Sequence, residues 1–245
     1  VVVSATARAE TNRIAQRVVG RTLDRQELAD LTGAPDDALV RVVPCQGMLR
    51  LEMVQHGEYG YCGAQLLCRD RRGALLVCGG YRIFDQQLRG RCMVLSMFQR
   101  QLVTAARLGL AALRAVAERG PCDSGYYTWP RLGFNAALPP HILRRLPHDL
   151  RHARSVLDLM RSAAGRDWWR RRGVALNVTF DLRPGSRSWG AFRRYLAEHA
   201  TPFRPGFASH VRRIRARNGA GQRMAPRRRR RLSVRRTLGI DQRIC

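Results

Sequence analysis

Six consecutive residues, Gln87, Leu88, Arg89, Gly90, Arg91 and Cys92, combine a glycine, two guanidinium groups and a position directly ahead of a long segment of helical apolar spacing. Gly90 has access to backbone geometries closed to other residues, and the first N–H groups of a following helix have no intrahelical acceptor. Such a turn suits an anionic phosphate group. The histidines and cysteines offer less. His148 and His152 stand four residues apart without an HExxH pattern or supporting cysteines, which favours a surface or salt-bridge role over a metal site. The seven cysteines, at positions 45, 62, 68, 78, 92, 122 and 245, form no CxxC pair; most sit among strand-forming residues, as free buried thiols do.

The elements that must position the turn are legible from periodicity. Leu75 to Phe84, LLVCGGYRIF, has the composition of a buried or half-buried strand. Val94, Met97, Phe98, Leu102, Ala105 and Leu108 recur at three and four residues and predict a helix that stops at Gly109. Leu110 to Glu118 reads as a further strand, followed by a Gly/Asp/Ser turn into GYYTWPRLGF at 125–134. Strand, loop, helix, strand is a right-handed parallel crossover in outline.

Upstream, two helices are expected over Ala7–Val19 and Thr22–Leu31, the second stopped by Gly33. Strands over Leu39–Val43, Met48–Gln55 and Tyr61–Cys68 then predict an antiparallel meander, whereas Val1–Val3 is too short to establish a strand. Downstream, His141–Met160 is helix-like with a break at Pro147, and Trp168 and Trp169 read as packing anchors or partner contacts. Val174–Leu182 predicts a late strand, Pro184 and Gly185 a turn, and Ser188 a cap for a helix whose apolar face carries Phe192, Tyr195 and Leu196. The expected fold class is α/β, a mixed central sheet with flanking helices.

Charge divides the chain. Its 245 residues carry 45 basic and 18 acidic side chains for a net charge of +27, and every basic one is Arg. Residues 1–200 are expected to form one globular domain and 201–245 a basic C-terminal extension, in which Asp241 is the sole acid. Arg227, Arg228, Arg229, Arg230 and Arg231 follow Pro226 without interruption. That run suits RNA, DNA or an acidic partner, and equally a solvated tail. No apolar run is long enough to span a membrane, and the amino end lacks the basic-then-apolar order of a secretory signal. A cytoplasmic location is expected, unless the chain is one processed part of a longer product.

With its order of strand, turn, helix, strand and LGF ending, the chain resembles the GCN5-related N-acetyltransferase superfamily. The pyrophosphate loop of that family has Gln or Arg, two variable residues, Gly, one variable residue, and Gly or Ala. Gln87 to Gly90 match its first four positions, and Cys92 departs at the last. Arg131 to Phe134 supply the RLGF ending, with Trp129 where the family usually has Tyr. The resemblance implies transfer of an acetyl group from acetyl-CoA to a small-molecule or protein amine. It assigns the pyrophosphate to Gln87, Leu88, Arg89, Gly90, Arg91 and Cys92, and the pantetheine arm to main-chain groups of Val77, Cys78 and Gly79 up to Gly80, with a bulge expected at the two glycines. Glu52 becomes the direct or water-mediated base. Tyr127 becomes the acid for the departing thiolate, since the indole of Trp129 cannot serve. The other role for Tyr126 and Tyr127 is to pack the cofactor arm or acceptor wall. Separately, the arginine-rich end supports an alternative function, a catalytically inactive acetyltransferase-like protein that binds nucleic acid or a polyanionic assembly.

Overall fold

The computed structural model describes residues 2–5, 8–34, 38–54, 61–69, 75–83, 92–120 and 124–199. Seven strands succeed one another across one sheet in chain order: β1 (Val2–Ala5), β2 (Leu39–Cys45), β3 (Met48–Val54), β4 (Tyr61–Arg69), β5 (Leu75–Ile83), β6 (Ala112–Ala117) and β7 (Leu176–Asp181). β1 and β2 are parallel, as are β5 and β6, and the other neighbours are antiparallel. Helices α1 (Arg8–Val19) and α2 (Arg25–Thr32) lie between the first parallel pair in the chain, and α3 (Cys92–Arg107) between the second. The architecture is thus a mixed sheet with flanking helices. The amino-terminal strand, too short to establish from sequence, forms because β2 supplies its ladder partners from Leu39 to Val42.

Local chemistry explains the early helices. Thr11, Ile14, Ala15 and Val18 make the buried stripe of α1. Asp24 caps α2 reciprocally: the Glu27 N–H donates to the Asp24 carboxylate at 2.7 Å, and the Asp24 N–H donates to the Glu27 carboxylate at 3.2 Å. Gly33 ends the helix at φ 67°, where an added Cβ would stand 2.5 Å from the Met97 carbonyl oxygen of α3. Only glycine permits that approach. Across the same seam the buried Gln101 donates at 2.9 Å to both the Leu31 carbonyl and the Gln65 side-chain oxygen, satisfying a helix-terminal acceptor that water does not reach.

Leu49, Leu51 and Met53 of β3 face this helical layer and join Ile14, Leu31, Leu67 and Leu102 in the main core. Toward β6 and β7 the core becomes aromatic: Phe98 and Phe180 meet each other, and each meets both Phe134 and Phe192.

Between β6 and β7 the chain builds α4 (Gly125–Arg131), α5 (Pro140–Leu143), a 3-10 turn (His148–Leu150), α6 (Val156–Leu159) and α7 (Ala163–Arg172). Leu138, Ile142, Leu150, Val156, Leu157 and Trp169 form a second core beneath them. The break expected at Pro147 is present, but the helix-like region over His141–Met160 is otherwise corrected to three short pieces. Pro147 is extended at ψ 159°, and Ser155 starts a fresh reciprocal cap with Asp158, so no helix runs through. Trp169 is a packing anchor, as its type suggested. Mutual hydrogen bonds between Asn135 and Thr179, at 2.8 and 2.9 Å, cover the outer edge of β7.

Helix α8 (Arg187–His199) closes the described chain. Ser188 is not its cap. It lies inside the helix, and its hydroxyl accepts from the Asp181 N–H at 3.1 Å, while Ser186, directly before the helix, donates to the Asp181 carbonyl at 2.7 Å. The arginine run at 227–231 and the expected boundary at 201 lie outside the described residues. Among the described residues no helix is long and apolar enough to cross a membrane.

Candidate active site

The sheet opens between its fifth and sixth strands. β5 and β6 pair at Leu76↔Ala112, Val77↔Leu113 and Cys78↔Arg114. β5 continues to Ile83 with every residue paired to β4, and β6 continues to Ala117 paired to β7. Among the described residues no pair joins β5 to β6 beyond Cys78 and Arg114. From Gly79 to Ile83, backbone groups on that side of β5 therefore lack a strand partner among the described residues, and such groups require another acceptor or donor.

This opening sorts the residues singled out from sequence. Val77 and Cys78 belong to the paired part of β5, and Gly79 is the first residue past it. The bulge expected at Gly79 and Gly80 is absent. The β4–β5 register runs without offset through Gln65↔Gly79 and Ala64↔Gly80, and the glycines instead mark the point where β6 departs. Gln87, Leu88, Arg89, Gly90 and Arg91 lie outside the described residues; Cys92 is the first residue of α3.

Glu52, Ala64 and Gly80 stand side by side across β3, β4 and β5. Two strand spacings, roughly 10 Å between backbones, separate Glu52 from the start of the opening. Strand alternation turns Glu52 away from the core that Leu51 and Met53 enter. Its carboxylate lies 3.0 Å from Arg50 Nε and 3.8 Å from Arg41 Nη1. Proton transfer from an amine at the opening to this carboxylate would need intervening water.

Tyr127 belongs to a different neighbourhood. Arg170 of α7 donates to its hydroxyl at 2.9 Å and lies 4.7 Å from its ring centroid. The Tyr126 hydroxyl donates to the Arg170 carbonyl at 2.7 Å, and Arg119 lies 5.0 Å over the Tyr126 ring while donating to the carbonyls of Arg171 and Gly173. Trp169 Nε1 completes the joint with a 2.8 Å bond to the Tyr126 carbonyl. No described contact brings Tyr127 to Glu52. Trp129 packs its indole against Phe134 at 5.0 Å and Phe98 at 6.2 Å. Arg119 and Arg170 carried no sequence signal, because their partners on α7 and α4 are more than forty residues distant, 52 and 43 in these bonds.

A separate open depression of about 480 Å³ is lined by Asp149, Leu150, His152, Asp158, Arg161, Ser162 and Ala164, and shares no residue with the sheet opening. Burial by itself raises the Asp158 pKa, but the Ser155 hydroxyl, the N–H groups of Arg154 and Ser155, and the Arg187 guanidinium together outweigh it and hold the carboxyl at about 2, below its ordinary 3.8. A depressed folded-state pKa contributes stability that is fully present above the ordinary value and is lost as pH falls from that value through the folded-state one. Asp158→Asn is accordingly expected to cost about 2 kcal/mol at pH 7 and almost nothing at pH 2. Urea midpoints across that range measure it; a difference constant with pH contradicts the assignment. Among the described residues, no group of three or more His, Cys, Asp and Glu side chains forms a metal site.

Compared with known proteins, the chain matches no family model and no curated sequence.

Proposed function

We propose that the protein is an N-acyltransferase that moves an acetyl group from acetyl-CoA to an amine. The observation that carries this reading is the opening beyond Cys78 and Arg114, which leaves one side of β5 without a strand partner among the described residues, upstream in the chain of Gly90 and of the first residue of α3. An acyl-CoA arm carries amides that pair with such an edge, and its pyrophosphate suits N–H groups at a helix start. Arg89 and Arg91 add charge there. Acetyl-CoA supplies the activated thioester carbonyl.

Glu52, through water, takes the proton that the attacking amine must lose; the amine nitrogen bonds to the carbonyl carbon, the carbon–sulfur bond breaks, and the thiolate takes up a proton from solvent, while Tyr127 stays engaged by Arg170 in the α4–α7 joint. Backbone N–H groups past Cys78, without a strand partner among the described residues, supply donors for negative charge building on the carbonyl oxygen. The opening does not specify the amine. Isothermal titration of the full chain with acetyl-CoA is expected to show saturable binding, weakened about tenfold by Arg89→Gln combined with Arg91→Gln. Folded protein without saturable binding removes the proposal. In that event the arginine content, including Arg227 to Arg231, favours a polyanion-binding protein without turnover.

A further inference from the structure

The joint between α4 and α7 concentrates cationic groups around half-buried aromatic rings. Arg170, Arg171 and Arg172 are exposed on consecutive positions of α7, Arg119 is exposed beside them, and Tyr126, Tyr127 and Trp168 are partly exposed on the same two helices. The simplest role for arginines in a last helical turn is to satisfy the terminal carbonyls and oppose the helix dipole. Here that role is already filled. Arg119 donates to the carbonyls of Arg171 and Gly173, and the Tyr126 hydroxyl to the carbonyl of Arg170.

The charge of the last turn is also largely uncompensated. Asp167 pairs with Arg171 at 2.7 Å across two exposed side chains, a contact that leaves Arg170 and Arg172 unopposed by that acid, and Glu118 is a second exposed acid beside Arg119. Two of the guanidinium groups are held in place, Arg170 over Tyr127 and Arg119 over Tyr126. Seating a guanidinium on a ring lowers the entropy lost when its in-plane N–H groups meet an anion, and a planar fork matches a phosphate bidentately.

We propose that the α4–α7 joint and the exposed last turn of α7 bind the phosphodiester backbone of single-stranded nucleic acid, with Arg170, Arg171 and Arg172 contacting phosphates around that turn and the guanidinium planes seated on Tyr126 and Tyr127 offering stacking surface to unpaired bases. Interleaved aromatic and arginine side chains distinguish such a ligand from an acidic protein, whose carboxylates would use the charge and not the rings. The site is built from described residues of α4 and α7 and does not depend on acyl transfer.

The test uses the full-length chain with Arg227 to Arg231 replaced by Gln, so that the extension does not mask the face. Fluorescence anisotropy with a labelled twenty-nucleotide single-stranded RNA, the same sequence as DNA, duplex DNA and polyglutamate compares ligands over a range of salt. Arg170→Gln, Arg171→Gln and Arg172→Gln together are expected to weaken single-strand binding at least tenfold and to reduce the log–log salt slope by about 2, at roughly 0.7 per phosphate contact. Arg144→Gln, Arg145→Gln and Arg151→Gln, which remove equal charge elsewhere on the same helical unit, are expected to change affinity less than threefold. Equal losses from both triple variants, an unchanged affinity, or tighter binding of duplex DNA or polyglutamate overturns the proposal. Ultraviolet cross-linking of single-stranded RNA to the unsubstituted chain needs no variant to fold: cross-links on the peptide holding Tyr126 and Tyr127 are expected, and their absence overturns it as well.

Discussion

Gly133→Ala is expected to lower the unfolding free energy by about 4 kcal/mol, the sum of backbone strain and overpacking in a site unable to relax. Gly133 has φ 104°, and a Cβ there would lie 2.5 Å from the Ser188 carbonyl oxygen and 2.9 Å from Phe180 Cε2. Neither neighbour is a loose chain end. Ser188 is tied to β7 through the bond from the Asp181 N–H, and Phe180 is fully buried with Phe98, Phe134, Phe192 and Trp189 around its ring. The glycine of the LGF ending thus has a structural reason to be there, whatever the chemistry nearby. Gly185→Ala is the control: φ is 75° but nothing lies within 4 Å of the added carbon, so strain alone, about 1 kcal/mol, is expected. Urea denaturation followed by tryptophan fluorescence reads both. A Gly133→Ala cost no larger than that of Gly185→Ala would refute the steric account.

The second large effect is Trp169→Ala, expected to cost about 3–5 kcal/mol because the indole fills the centre of the second core and leaves a cavity its neighbours close only in part. Trp169 has 0% exposure and packs with Leu138, Ile142, Leu157 and Leu159. It also anchors α7 to α4 through its bond to the Tyr126 carbonyl. Trp169→Phe keeps most of the apolar contact and abandons that bond, for an expected 1–2 kcal/mol, roughly the cost of an orphaned buried acceptor. If the two substitutions cost the same, the hydrogen bond and not the packing holds the joint. A cost under about 1 kcal/mol for Trp169→Ala means that the second core does not depend on the indole.

The two sites explain why legibility was uneven. Leu49, Leu51 and Met53 alternate with Arg50 and Glu52, and Met97, Phe98, Leu102 and Ala105 recur at helical spacing; all seven apolar residues are buried. Such patterns are local, because the period of an element sets which side chains share a face. Gly33 and Gly109 likewise ended the helices they follow, at φ 67° and 75°. In the segment from His141 to Met160 the break at Pro147 was legible from the residue type, but the second interruption at the Ser155 cap was not, since the short pieces are held by tertiary packing.

The candidate site was readable only as parts. Gly79 and Gly80 were visible in a strand-like run, yet whether they made a bulge or marked a departure depended on where β6 lay. Tyr127 was visible as a proton-bearing side chain beside the LGF ending; its engagement by Arg170 was not.

The amino-acid order by itself determined strands β2 to β7, the early helices and α3 and the excess of arginine, because propensity, periodicity and charge are properties of neighbours along the chain. Tertiary structure alone decided the opening of the sheet past Cys78, the row that brings Glu52 level with Gly80, and the seating of Arg119 and Arg170 on two tyrosines. Those depend on register and on side chains meeting across tens of residues, and no local pattern encodes the partner at the far end of a long-range contact.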